Sequence, residues 1–165
     1  MTPEDIVVTR WGARYMGGVF PCSIGKGGIS DDKREGDGAT PAGRHHIVGM
    51  LYRPDRIVQP APWAIPIGPT DLWSDAPNDP SYNQMVRAPY ESSHEALRRA
   101  DPLYDLVMLT DWNYPDAVAG RGSAIFIHRW RKPRHPTEGC VAFSAPDLLW
   151  VAQNVRPGTR LIVKP

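Results

Sequence analysis

The chain has 165 residues, 19 basic and 18 acidic side chains and a formal net charge of +1, which is enough length for one substantial core and no surplus of positive field. That balance argues against a nucleic-acid partner, and no apolar run approaches the roughly 20 residues of a membrane span. Eighteen prolines and 15 glycines point to many short strands joined by turns rather than to long helices.

In chain order, Ile6-Val7-Val8 and the run from Tyr15 to Ile24 read as opening strands about a turn at Trp11-Gly12. The charged, glycine-rich stretch 27–43 reads as a loop before a strand over 44–51. Lys26, Lys33 and Arg34 in that region lack phosphate-loop spacing and are expected in solvent. Trp63 to Ile67 contains Pro66 and so belongs at an edge or bulge. Residues 69–89 show no periodicity and read as a long loop. Good helix formers after a serine cap predict a short helix over 90–100, ended by Asp101-Pro102. Leu106 to Leu109 and Ala124 to His128 read as central strands, apolar on both faces. A second helix follows Ser144, with Pro146 in its first turn, Asp147 completing a capping box and Pro157-Gly158 after its end; Arg160 to Val163 is the last strand. The fold expected is therefore a single mostly β domain spanning 1–165, with two short helices and no internal repeat.

Two residues carry the chemistry. His128 ends an apolar strand, and eight residues on Pro136-Thr137-Glu138-Gly139-Cys140-Val141 sets a cysteine at the start of another apolar run. A thiolate attacks an acyl carbon far better than a thiol, so a cysteine nucleophile needs a base nearby. Gly139 lets the backbone come close to the same carbonyl oxygen, where a developing oxyanion needs donors. The bland alternatives are a buried structural cysteine and a core histidine bonded to a carbonyl. Cys22, in an apolar run, reads as a small buried hydrophobe and not as a disulfide partner. No Cys-x-x-Cys or His-x-x-x-His pair is present, so neither a metal nor a cofactor is expected.

The whole chain resembles the L,D-transpeptidase catalytic domain family (YkuD type). The resemblance rests on Gly25-Lys26-Gly27-Gly28 leading into Lys33 through Gly43 with its Thr40-Pro41-Ala42-Gly43, on His128, and on Thr137-x-Gly139-Cys140. The chain departs from the family pattern in a shorter loop between His128 and Thr137, in Glu138 where histidine is frequent, and in Ala142 where many members carry arginine or asparagine. The resemblance implies a β-sandwich-like domain of mixed sheets that cross-links peptidoglycan stem peptides, donor and acceptor alike, through a Cys140 thioester. In that scheme His128 is the base, with Gly139, Thr137 and Glu138 lining the oxyanion side. Water in place of the acceptor amine would make it a carboxypeptidase or endopeptidase; a non-catalytic wall-binding module is the rival from another class. Arg129 and Arg131 are candidates for stem-peptide carboxylates, and Tyr82, Asn83 and Asn113 for a peptide groove. The family implies a periplasmic or cell-envelope location and susceptibility to carbapenems, although Met1-Thr2-Pro3-Glu4-Asp5 shows no signal-peptide pattern.

Overall fold

A computed structural model describes residues 1–165. In chain order its strands are β1 (Ile6–Thr9), β2 (Gly12–Tyr15), β3 (Gly18–Phe20), β4 (Cys22–Ser23), β5 (Ile29–Ser30), β6 (Thr40–Pro41), β7 (Gly43–Tyr52) and β8 (Ile65–Pro66). There follow β9 (Asp71–Ser74), β10 (Met85–Arg87), β11 (His94–Ala96), β12 (Leu106–Thr110), β13 (Phe126–Arg129), β14 (Val141–Phe143), the helix α1 (Ala145–Asn154) and β15 (Arg160–Val163). The main sheet runs β3-β2-β1-β15-β7-β12-β13-β14-β4, with β8 on β7, and a three-stranded sheet runs β10-β9-β11. The main sheet is mixed: β1/β15, β13/β14 and β7/β8 are parallel, and its other pairs are antiparallel.

Two cores lie on opposite faces of the central strands, because side chains alternate along a strand. Leu106, Met108 and Ile127 join the cluster that takes Leu148, Val151 and Ala152 of α1, whereas Val107, Leu109 and Phe126 join Trp73, Leu97, Tyr104 and Cys140. Burying each Leu or Val of α1 contributes about 1.5 to 3 kcal/mol, which holds so short a helix in place. Its cap forms as the sequence suggests: Ser144 Oγ accepts the Asp147 N–H at 3.2 Å and donates to Asp147 Oδ2 at 2.7 Å. Trp73 of β9 packs edge to face on Phe126, with ring centroids 5.0 Å apart, so the small sheet covers the second core.

Three expectations need correction. There is one helix and not two: residues 94–96 of the predicted first helix are the strand β11, antiparallel to β9 with Glu95 opposite Trp73. Local helix preference yields there to strand pairing, which satisfies the backbone within the small sheet. The stretch 69–89 holds β9 and β10 and is not one long loop. The glycine-rich stretch 27–43 contains the short parallel pair β5/β6, and Lys33 within it is buried, its ammonium bonded to Asp37 Oδ1 at 2.5 Å and to the Arg34 carbonyl at 2.6 Å. Cys22 and Cys140 are both free and buried.

Candidate active site

Parallel pairing of β13 and β14 brings the histidine and the cysteine to one place. Ile127 lies opposite Val141 and His128 opposite Ala142, so Cys140, one residue before β14, falls opposite Phe126. Phe126 and His128 share a face, which puts both residues of interest on the same side of the sheet, offset by two positions, or about 7 Å along the strand. No hydrogen bond joins the Cys140 thiol to His128. Instead Sγ donates to the Ala124 carbonyl at 3.1 Å and accepts the Phe126 N–H at 3.4 Å.

Burial pushes the Cys140 thiol up to about 12, and the Glu95 carboxylate adds to the rise; the Phe126 N–H and the Lys33 ammonium oppose it. Burial likewise depresses His128 to about 4. The resting pair is therefore a neutral thiol beside a neutral imidazole. His128 Nδ1 lies 2.7 Å from the Arg129 carbonyl, and because a carbonyl only accepts, the ring proton sits on Nδ1. Nε2, which has no hydrogen-bond partner in the chain, then holds the lone pair and is the atom able to take a proton.

Tyr104, Glu95 and Arg99 complete the surroundings, and none of them stood out in the sequence. The Tyr104 ring packs against both His128 and Phe126, with centroids 5.3 and 6.0 Å away, and its hydroxyl donates to Glu95 Oε2 at 2.7 Å. Burial raises Glu95 above the usual carboxylate range. The Arg99 guanidinium lies 5.1 Å over the Tyr104 ring and pairs with both oxygens of Asp101 at 2.9 and 2.7 Å. Only the tendency of buried tyrosine to seek a partner hints at such a group, and nothing local to Tyr104 says which one.

The segment before Cys140 is held by a closed set of bonds. Thr137 Oγ1 donates to the Cys140 carbonyl at 2.6 Å and accepts the Gly139 N–H at 3.1 Å, so it shapes the turn and does not touch the thiol. Thr40 Oγ1 donates to the Gly139 carbonyl and accepts the Gly25 N–H, both at 2.8 Å, which ties the Thr40-Pro41 region to the cysteine turn. Gly139 has φ +137° and a β-carbon there would lie 2.9 Å from the Ala39 carbonyl oxygen, so the position admits no side chain without movement. The Gly139 N–H is thus committed, whereas the Cys140 N–H makes no hydrogen bond within the chain. Glu138 is exposed and pairs with exposed Lys26 at 2.8 Å, away from the buried thiol.

The other sequence candidates take different positions. Tyr82 is buried, donates to Glu35 and accepts the Gly122 N–H at 3.0 Å. Asn83 is buried with all its amide atoms bonded inside the chain, and Asn113 spends its amide on Val118 and Gly122. These three brace the loop before Ala124 and present no free group to a peptide. Arg129 alternates with His128 and faces the other way, toward a cavity of about 240 Å³ shared with Asp105, Leu106, Pro146 and Leu148. Arg131 is exposed beyond β13, close enough to help hold the Asp101 carboxylate low, at about 2, after the larger effect of Arg99.

A buried thiol, a buried imidazole, an unbonded N–H on the cysteine and a braced glycine turn thus lie together at the ends of β13 and β14. The family model for the L,D-transpeptidase catalytic domain, YkuD, matches residues 8–163, and the chain belongs to that family. No curated protein and no solved structure matches the chain.

Proposed function

We propose that the protein is a cysteine acyltransferase that cross-links peptidoglycan stem peptides, with Cys140 as nucleophile and His128 as base. The observation that carries this reading is the bond from His128 Nδ1–H to the Arg129 carbonyl, which leaves Nε2 as a proton acceptor on the face that holds Cys140. As the donor carbonyl approaches, the thiol leaves the Ala124 oxygen and gives its proton to Nε2 while the Sγ–C bond forms. The resulting oxyanion accepts the Cys140 N–H. The C–N bond to the terminal D-alanine then breaks, with the imidazolium proton passing to the departing amine. The thioester is opened by the amine of a second stem, which yields its proton to His128 as sulfur departs and regains it. Because both groups rest neutral, proton transfer accompanies attack rather than preceding it.

Water in place of the amine gives a carboxypeptidase or endopeptidase by the same steps. A stem-peptide substrate places the activity in the periplasm or cell envelope. The test is incubation with a tetrapeptide donor, with and without an amine acceptor, read by mass spectrometry. A Cys140-linked acyl-enzyme, release of D-alanine and a cross-linked product support the reading; hydrolysed product alone assigns the hydrolase. Turnover by Cys140→Ala, or no adduct at Cys140 from either donor or carbapenem, would sink the assignment of the nucleophile.

A further inference from the structure

Asn83 stands at φ +56°, and its side-chain amide is fully used. Oδ1 accepts the Trp73 Nε1–H and the Ala124 N–H, each at 2.9 Å; Nδ2 donates to the carbonyls of Asn113 at 2.6 Å and Trp112 at 3.2 Å. Two acceptor directions and two protons are all spent, so the amide cannot turn without losing all four bonds. A left-handed backbone suits asparagine better than most residues.

Ala124, the residue whose N–H Asn83 holds, is itself at φ +51°, a conformation that a residue with a β-carbon rarely adopts and that persists only where the surroundings impose it. Its carbonyl is the acceptor of the Cys140 thiol. The amide that Asn83 grips and the carbonyl that holds the thiol flank the same α-carbon. Both torsions at that α-carbon set where the carbonyl points, and the narrow left-handed region restricts φ and ψ together, so a grip that keeps Ala124 left-handed keeps its carbonyl aimed at sulfur.

We propose that Asn83 is a positioning residue for Cys140: by holding Ala124 left-handed it keeps the Ala124 carbonyl on the thiol proton and so fixes the rotamer from which sulfur attacks. This rests on reading Cys140 as the nucleophile. The physical consequence has two opposite signs. An acceptor for S–H favours the neutral thiol, so losing it lets the thiolate form at lower pH. A thiol free to rotate nevertheless attacks a bound donor more slowly, because its geometry is no longer prepaid. The titratable and charged groups around the thiol are Glu95 on β11, Lys33 in the 31–39 loop, Tyr104, and His128 on β13, and all stay unchanged in the variants below.

The experiment follows iodoacetamide alkylation of Cys140 against pH by peptide mass spectrometry, alongside single-turnover acylation by a tetrapeptide donor. It compares the native chain, Asn83→Gly and Trp73→Phe, each shown to be folded by circular dichroism. Glycine keeps the left-handed backbone and deletes the grip; Trp73→Phe removes another bond to the same Oδ1 and spares Ala124. Asn83→Gly should lower the alkylation midpoint by about one pH unit and slow acylation about tenfold or more, while Trp73→Phe leaves the midpoint where it was. A native midpoint in folded Asn83→Gly, or an equal shift in Trp73→Phe, overturns the proposal. Should Asn83→Gly not fold, Asn83→Ser, which keeps a polar atom but falls short of Ala124, carries the same expectation and the same refutation. Failure of the functional reading is separately visible, since alkylation reports on the thiol whether or not Cys140→Ala abolishes turnover.

Discussion

The ring of Tyr104 meets that of His128 edge to face, centroids 5.3 Å apart and planes at 72°, while the Tyr104 hydroxyl is bonded to Glu95. One side chain therefore packs the candidate base and satisfies a half-buried carboxylate. Tyr104→Phe keeps the ring and strands Glu95, which should cost about 1 to 3 kcal/mol of stability and change acylation little. Tyr104→Ala removes the packing as well, with a cost of about 3 to 5 kcal/mol and a much larger loss of acylation. Denaturant midpoints and single-turnover rates on both variants decide the matter: equal losses of acylation would give the role to the hydroxyl and not to the ring.

The neutral resting pair makes a pH prediction. With His128 at about 4 and Cys140 at about 12, acylation of the native chain should show an acidic limb near pH 4 and stay flat through neutrality. His128→Asn should lower the neutral rate by about 10² to 10⁴ and leave a rate that climbs with pH as thiolate forms. A native profile with a midpoint near the ordinary thiol value of about 8.5 would contradict the buried, neutral thiol.

Stability should respond to the same two groups. His128 is depressed from 6.5, so between about 4 and 6.5 the unfolded chain binds the extra proton and stability rises with pH. Cys140 is raised from 9.0, so above that value the unfolded chain loses a proton that the folded chain keeps, and stability falls as pH rises. Urea midpoints across pH should show the acid rise flattened in His128→Asn and the alkaline fall reduced in Cys140→Ala. Unaltered slopes in both variants would mean other groups set the pH dependence.

The turn before the thiol should tolerate little. Gly139→Ala sets a β-carbon 2.9 Å from the Ala39 carbonyl at φ +137°, and a loss of about 1 to 3 kcal/mol with a steep drop in acylation is expected. Thr137→Ser keeps the hydroxyl that binds the Cys140 carbonyl and the Gly139 N–H and should act like the native residue, whereas Thr137→Val should not. Equal acylation by Thr137→Ser and Thr137→Val would remove the hydroxyl from the account.

Arginine roles divide by what each side chain lies against. Arg129→Gln, on the helix side of β13, should leave donor binding unchanged. Replacing Arg99 and Arg131, near Tyr104 and Asp101, should weaken the tetrapeptide donor more than a carbapenem, each lost charged hydrogen bond being worth about 1.5 to 3 kcal/mol. Paired kinetics with the two acyl donors separate recognition from chemistry, and a defect in Arg129→Gln alone would reverse the assignment.

The capped helix after Ser144, the long strand β7, the apolar runs of β12 and β13 and the Thr137-x-Gly139-Cys140 turn were all legible in the sequence, because each is written in residues that are close in the chain. Local signals misled where pairing overrode them: residues 94–96 have the composition of a helix, yet become a strand because β9 offers partners for their backbone. The sequence likewise offered Cys140 and His128 as candidates, since a glycine-cysteine turn, a histidine at a strand end and the family resemblance need no tertiary knowledge to notice. It could not say that the thiol bonds Ala124, that Asn83 braces Ala124 from 41 positions away, or that Tyr104 joins His128 to Glu95. Those relations come from the parallel register of β13 with β14 and from the cover of the small sheet, both long-range contacts. Side-chain alternation decided the rest, turning Arg129 toward α1 and His128, its immediate neighbour, toward the thiol's face.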